Sequence, residues 1–316
     1  MKSLPLLLAG IVPLIANAKP DAIVAADGST KFKTVQEAVN ASPRDSSPNR
    51  PWTILLKPGA YNEVVYIQRE KRFLKLIGED AEKTFITHNL HANLPGPDGN
   101  PIGTFRTPTV QIDADHISFE NITFENSAGP VGQALAVRVD GDRVSFRKCR
   151  FLGFQDTILC NRGRHYFEDC AITGAVDFIF GAATAWFEKC HILITRDGYI
   201  TAASTAPEQN GFIFSQCDIK GTKPGIQCYL GRPWRPHAHT VFLKCHMDAS
   251  IRPEGWENWR NPENEKTARY AEFQSTGPGA NPEKRVKWSR QLAPAEASKL
   301  TVKSVLGGDD RWNPTK

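Results

Sequence analysis

The sequence lacks the usual signs of a protein that binds nucleic acid, spans a membrane or holds zinc. Its net charge is only +5 over 316 residues, too small a surplus to indicate a nucleic-acid partner. No segment after Ala18 is long and apolar enough to cross a bilayer. None of its seven cysteines forms a C-x-x-C pair, so the common zinc and thioredoxin spacings are missing. Hydrophobic residues nevertheless make up 40% of the chain, which excludes a disordered protein and supplies a sizeable core.

The first residues have the pattern of an export signal. Lys2 precedes an apolar stretch over Leu4–Ile15, and the small residues Ala16 and Ala18 match a cleavage signature. The stretch is shorter than the ~20 apolar residues of a spanning helix, which disfavours an uncleaved anchor. We therefore predict a signal peptide at 1–18, a single domain at 19–316 and a secreted protein, extracellular or periplasmic, without a membrane partner.

Six copies of a short template recur in the middle of the chain. Each copy has a Phe, two mostly polar residues, an Ile or Cys, any residue and an apolar residue. The fourth positions are Ile122, Cys149, Cys170, Cys190, Cys217 and Cys245. Their positions in the chain advance by 27, 21, 20, 27 and 28, a spacing that is typical of a solenoid.

The apolar pattern changes parity inside each copy, which indicates two short strands that meet at a corner. Polar pairs such as Glu168 and Asp169 would face water at that corner. The consensus of a leucine-rich repeat and the long amphipathic helices of helical arrays are both missing. We predict an all-β single-stranded solenoid, a parallel β-helix. A short N-terminal helix begun by Thr34 and Glu37 would cap it, and long loops over Arg252–Gly279 would follow it.

The repeated cysteines would form an internal ladder. Equivalent positions of neighbouring turns lie about 4.8 Å apart in such a coil, and most of these thiols should be small buried hydrophobes. One neighbouring pair could be oxidised in an exported protein. Cys170 and Cys190, joined by the shortest interval, are the disulfide candidate, and the alternative that all thiols are free stays open.

Two aspartates occupy the same place on consecutive turns. Asp156 and Asp177 each lie seven residues after the ladder cysteine of their turn, so they should be stacked neighbours. Two such carboxylates cannot both ionise at low cost, so one is driven toward the acid and the other toward the anion. The same count gives Asp197, but Gly198 follows it as in an ordinary turn.

Four segments around these residues resemble, in order and spacing, the signature segments of pectin methylesterases. They are Gln133–Arg138, Phe154–Thr157, Val176–Gly181 and Leu230–Trp234, and Gly198–Ala202 also looks like a segment of that family. The resemblance covers essentially the whole chain after Ala18. It implies a right-handed parallel β-helix that hydrolyses the C6 methyl ester of galacturonate units in pectin, releasing methanol and leaving polygalacturonate. It implies no metal and no organic cofactor.

The resemblance also implies roles for particular residues. Asp177 would be the nucleophile, and Asp156 the acid that protonates methanol and then the base that activates water. Gln133 and Gln155 are neutral amides that could donate to the oxyanion. Arg232 would pair with Asp177 and hold it ionised and oriented.

Aromatic side chains could stack on the sugar faces of the expected partner, methyl-esterified homogalacturonan. The candidates are Trp234, Phe178, Phe105, Trp256 and Trp259. The Pro- and Gly-bearing segment His91–Thr104 could form a loop beside the groove. We expect the protein to act as a monomer.

Other functions stay open at this point. A polygalacturonase would need two carboxyls about 6.5–9.5 Å apart, which stacking on adjacent turns disfavours. A calcium-dependent pectate lyase would need a cluster of acidic ligands and would leave the two glutamines without a role. A serine esterase is disfavoured because no G-x-S-x-G motif occurs. A catalytically silent polygalacturonate-binding protein would bind pectin without turnover.

Overall fold

The computed structural model describes residues 19–315. The predicted signal peptide at 1–18 lies outside the described residues. Among residues 19–315, no helix combines the length and the apolar character that crossing a membrane requires.

Short parallel strands make up most of the regular secondary structure of residues 19–315. In chain order they are β1 (Ala22–Val24), β2 (Trp52–Leu56), β3 (Gly59–Asn62), β4 (Val65–Ile67), β5 (Leu74–Gly78), β6 (Thr84–His88), β7 (Val110–Ile112), β8 (Ser118–Glu120), β9 (Thr123–Asn126), β10 (Val137–Val139), β11 (Val144–Arg147), β12 (Arg150–Leu152), β13 (Ile158–Cys160), β14 (Arg164–Glu168), β15 (Ala171–Gly181), β16 (Thr184–Glu188), β17 (His191–Ala203), β18 (Phe212–Ser215), β19 (Asp218–Gly221), β20 (Cys228–Pro233), β21 (His239–Leu243), β22 (His246–Met247), β23 (Arg269–Phe273) and β24 (Arg290–Gln291). The helices are α1 (Val35–Ala41), α2 (Pro294–Ala297) and α3 (Val302–Leu306), with 3₁₀ helices at Thr104–Arg106, Pro262–Lys266 and Pro282–Lys284.

These strands wind into a right-handed parallel β-helix, which confirms the predicted fold. One side is an eleven-stranded sheet in the order β1-β2-β5-β8-β11-β14-β16-β18-β21-β23-β24. A second sheet of thirteen strands forms the other two sides, because the long strands β15 and β17 run through both. The first halves of these two strands continue the β3-β6-β9-β12 side toward β19 and β22, and their second halves continue the β4-β7-β10-β13 side toward β20.

The phenylalanines of the repeat form a stack through the core. Phe119, Phe146, Phe167, Phe187, Phe214 and Phe242 are aligned across neighbouring strands of the first sheet. Neighbouring rings are stacked with centroids 4.4–5.0 Å apart. This arrangement confirms the period that the sequence indicates.

A single left-handed residue makes the corner in each copy of the repeat. The third positions have φ between 49° and 55° and are Asn121, Lys148, Asp169, Lys189, Gln216 and Lys244. A backbone in this conformation turns the chain sharply, so the residues before and after it can both point inward. The change of apolar parity in the sequence has this geometry as its cause.

The cysteine ladder consists of buried free thiols, and the predicted Cys170–Cys190 disulfide is not present. Each thiol is held by backbone acceptors instead. The Cys170 Sγ lies 3.5 Å from the Phe146 carbonyl oxygen of the preceding turn, and the Cys190 Sγ lies 3.6 Å from that of Phe167. The ladder position is therefore filled by small apolar groups that also donate to the backbone.

The segments at the two ends of the chain differ. Helix α1 covers the N-terminal end with Val35, Ala38 and Val39, and its capping box of Thr34 and Glu37 confirms the prediction. The C-terminal segment over Arg252–Gly279 is not loops alone, because it contains β23, which continues the first sheet. Helices α2 and α3 then pack on the outer side of that sheet.

Candidate active site

The two aspartates lie on adjacent turns in the same register, as their spacing predicts. The backbone N–H of Asp156 donates to the Val176 carbonyl at 3.0 Å, and Ile158 pairs with Ile179 two residues further on. Both aspartates have a left-handed backbone, with φ of 63° at Asp156 and 49° at Asp177. Asp is one of the few residue types that adopts this conformation readily. The two carboxyl groups therefore enter the same cleft from consecutive turns.

The cleft has a volume of about 320 Å³ on the side of the coil built by β10, β13, β15, β17 and β20. It brings together eight of the ten predicted site residues, namely Phe105, Gln133, Gln155, Asp156, Asp177, Arg232, Trp234 and Trp259. Thr104, at the end of the Pro- and Gly-bearing segment, also lines it, together with Phe180 and Ala202. The segment His91–Thr104 thus reaches the groove, as expected.

Arg232 makes a two-pronged ion pair with Asp177. Its Nε donates to Asp177 Oδ1 at 2.9 Å and its Nη2 to Oδ2 at 2.6 Å. Asp177 is buried and Arg232 is mostly covered, so water screens this pair poorly. The pair fixes both oxygens of one carboxylate, whereas no cationic side chain within residues 19–315 makes such a contact with Asp156.

The pKa values of the two carboxyl groups are shifted by different causes. Burial raises the pKa of Asp156 well above its ordinary value, and the charge of Asp177 raises it further. Burial also raises the pKa of Asp177, but the hydrogen bonds and charge of Arg232 oppose that rise directly. Burial raises both pKa values, but only Asp177 has a hydrogen-bonded cation to oppose the rise, which favours the proton on Asp156 and the charge on Asp177.

Gln133 and Gln155 are neighbours on the rim of the cleft. They are paired in a parallel bridge, and Gln155 also bridges to Val176, immediately before Asp177. Both side chains are partly exposed, so their amide groups are accessible to a bound molecule. Primary amides donate hydrogen bonds without competing for a carboxyl proton.

Two predicted aromatic contacts are wrong, because the side chains belong to the core. Phe178 has no exposed surface; the left-handed Asp177 that precedes it turns the strand so that the ring points inward, where it packs over Gly174. Trp256 is 1% exposed and stacks on Tyr270, with ring centroids 4.2 Å apart. Neither ring reaches a molecule in the cleft.

Two aromatic residues that the sequence analysis did not single out are part of the site. Phe180 lines the cleft, and its ring meets Trp234 edge-on at 5.8 Å between centroids. Tyr199 stands beside Arg232, with the guanidinium carbon 3.8 Å from its ring centroid. Both lie inside segments quoted above for the family resemblance, so those segments could have identified them as site residues.

Two further expectations concern Asp197 and the acidic ligands of a calcium site. Asp197 is exposed, and its Oδ1 accepts a hydrogen bond from the Gln227 backbone N–H at 2.9 Å. It does not lie in the predicted turn but in β17, where the pairing with β15 shifts register between Ile194 and Tyr199. In the part of the chain that the structure describes, no three His, Cys, Asp or Glu side chains gather as metal ligands do. The acidic cluster of a calcium-dependent lyase is therefore not found among these residues.

Comparison with known proteins adds independent findings. The pectinesterase family model matches residues 21–309. Pectinesterase 31 of Arabidopsis thaliana is 41% identical over 290 residues, which is 90% of this chain and 91% of that protein. The solved pectin methylesterase from carrot has a TM-score of 0.86 at 33% identity, over 92% of this chain and 94% of its own. A pectin methylesterase solved in complex with a hexasaccharide has a TM-score of 0.81 at 31% identity, over 95% of this chain and 99% of its own.

Proposed function

The chain belongs to the pectinesterase family and is a pectin methylesterase, and from this premise we propose that Asp177 is its nucleophile and Asp156 its acid and base. The observation that carries the assignment is the ion pair of Arg232 with Asp177 alone. A carboxylate held ionised and oriented can attack, whereas a buried carboxyl without a cation keeps a proton to give.

The proposed reaction has two halves. An Asp177 oxygen attacks the C6 carbonyl carbon of a methylated galacturonate, and the carbonyl oxygen becomes an oxyanion that the Gln133 and Gln155 amides stabilise. The intermediate collapses, the ester C–O bond breaks, and Asp156 gives its proton to the departing methoxide, which leaves as methanol. Asp156, now a carboxylate, takes a proton from water, and the resulting hydroxide attacks the acyl-enzyme and frees Asp177.

We propose methyl-esterified homogalacturonan as the substrate. A related pectin methylesterase has been solved with a hexasaccharide bound, and the cleft of this chain presents the partly exposed aromatic residues Phe105 and Trp234 beside the carboxyl pair. Aromatic rings of this kind pack against the apolar faces of sugars. We propose that the protein meets this polymer outside the cell, as the signal-peptide pattern at 1–18 predicts.

The decisive experiment measures methanol release from highly methylated pectin with EDTA present. Reducing ends and the absorbance of unsaturated sugars are followed in the same samples. We expect methanol alone, no measurable turnover by Asp177→Ala, and almost none by Asp156→Ala. Asp197→Ala is the matched control, because Asp197 lies seven residues after Cys190, as Asp177 does after Cys170, but is exposed and does not line the cleft.

Each alternative has its own signature in that assay. Substantial methanol release by Asp177→Ala would overturn the nucleophile assignment. Unsaturated product that EDTA abolishes would identify a lyase, and new reducing ends a polygalacturonase. Pectin binding without any product would identify a silent binding protein.

A further inference from the structure

We infer that Trp259 and Tyr199 are positioning residues, which hold the Arg232 guanidinium between their rings and so aim its two N–H groups at Asp177. This inference rests on the proposed function, in which Asp177 is the nucleophile. It gives Trp259 a different task from the sugar platform that the sequence analysis predicts.

The geometry around Arg232 is that of a sandwich. Its guanidinium carbon lies 3.8 Å from the Tyr199 ring centroid and 3.9 Å from the Trp259 ring centroid. Two rings at such short distances cannot share one face of the planar guanidinium, so they lie on its two faces. The edge of the guanidinium remains free, and that edge makes both hydrogen bonds to Asp177.

The loop that carries Trp259 is tied down by its own carboxylate. Glu257 accepts hydrogen bonds from the backbone N–H groups of Trp259 and Arg260, each at 3.0 Å. Both of these residues have a left-handed backbone, with φ of 60° and 54°, a conformation that such contacts stabilise. The Glu257 N–H in turn donates at 3.1 Å to the carbonyl of Gly231, the residue before Arg232. These contacts fix the loop to β20, the strand that carries Arg232.

The opposite ring is fixed by the coil itself. Tyr199 lies in β17, paired with Val176 on one side and Tyr229 on the other, and its ring stacks on that of Tyr229 at 5.4 Å between centroids. Arg232 therefore rests between one ring that belongs to the sheet and one that belongs to a loop. The face of Trp259 that covers Arg232 is not available to a sugar, so this contact gives that face a positioning task.

A platform and a positioning residue give different kinetics. Loss of a platform weakens binding, so it raises KM and leaves kcat nearly unchanged. Loss of positioning lets Arg232 leave Asp177, so the pKa of Asp177 rises, kcat falls and the acid limb of the rate profile moves to higher pH. The pH profile separates the two roles, and a merely structural change would not shift it.

The test compares Trp259→Leu, Trp259→Phe and Phe105→Leu in steady-state methanol release over the pH range of activity. We expect Trp259→Leu to lower kcat on the order of 10-fold, with the acid limb displaced upward, and Trp259→Phe to recover most of that loss. Phe105→Leu, which removes an exposed cleft ring, should raise KM without moving the limb. Tyr199→Leu should repeat the effect of Trp259→Leu from the other face, and thermal melting checks the fold of every variant.

A double-variant cycle shows whether Trp259 acts through Arg232. In the Arg232→Lys background, Trp259→Leu should cost much less than it does alone. Full additivity, or a Trp259→Leu variant with a raised KM but an unmoved kcat and acid limb, would overturn the inference. Those results would leave the proposed function intact if Asp177→Ala is inactive, whereas an active Asp177→Ala would overturn the proposed function itself.

Discussion

Replacement of Arg232 by lysine should create an enzyme whose defect depends on pH. Lysine keeps the positive charge but replaces the planar fork with a single ammonium, so one of the two hydrogen bonds to Asp177, at 2.9 and 2.6 Å, is lost. A hydrogen bond to a charged group contributes about 1.5–3 kcal/mol. One pKa unit corresponds to about 1.4 kcal/mol, so the pKa of Asp177 should rise by about one to two units.

The sign of the effect follows from the protonation state that Asp177 needs. Burial raises the pKa of Asp177, and Arg232 opposes that rise. A weaker partner leaves a larger fraction of Asp177 protonated and unable to attack. The acid limb of kcat/KM should move upward by about one to two units, so the loss reaches about 10–100-fold below the original limb and shrinks above the new one.

The assay is the initial rate of methanol release from highly methylated pectin, measured at subsaturating substrate across the pH range in which the enzyme stays folded. Arg235→Lys is the matched control, because Arg235 is an exposed neighbour on the same segment and lies over Trp234, away from the carboxyl pair. Its acid limb should stay in place. A drop of equal size at every pH in Arg232→Lys would refute the reasoning, since Arg232 would then act on the substrate or oxyanion.

Three further changes probe the oxyanion, the core and the corrected aromatic residue. Gln155→Ala should lower kcat by about 10²–10³ with little change in KM, and a change in KM alone would show that its amide only binds substrate. Phe167→Ala removes a ring from the core stack, so it should reduce the free energy of unfolding in urea by about 3–5 kcal/mol, and a loss below about 1 kcal/mol would contradict tight packing there. Phe178→Leu should lower the melting temperature and leave KM for pectin unchanged, because the Phe178 ring is inside the coil. A raised KM would show instead that this ring contacts the substrate in the cleft.

The sequence predicts the coil well because each turn must fill equivalent core positions. A ring such as Phe146 must fill the same core position as Phe167 one turn later, so the same residue type returns at each turn. The corner residue between ring and cysteine leaves its trace as a change of apolar parity. Asp156 and Asp177 could be placed together for the same reason, since their distance from the ladder is equal.

Side-chain direction outside the repeat could not be predicted in this way. Phe178 follows Asp177, whose left-handed backbone reverses the direction expected from simple alternation, and nothing in the composition of that segment announces it. Trp256 and Trp259 lie three residues apart in one loop, yet one is core and the other contacts Arg232. Their difference depends on the path of that loop, which Glu257 fixes through backbone contacts.

The lengths of the turns explain why the cleft is where it is. Asp156 and Asp177 lie in the two shortest turns of the cysteine ladder, and the turns that flank them on either side are longer. Turns this short contain few residues beyond their strands and corners, so no long loop covers their outer surface. Longer segments on both sides supply the walls, which carry Phe105 and Trp234. Insertions and deletions in the longer turns can therefore reshape the walls, and with them the range of polymers admitted, without disturbing the reacting groups. Selectivity and chemistry can evolve separately in such a scaffold.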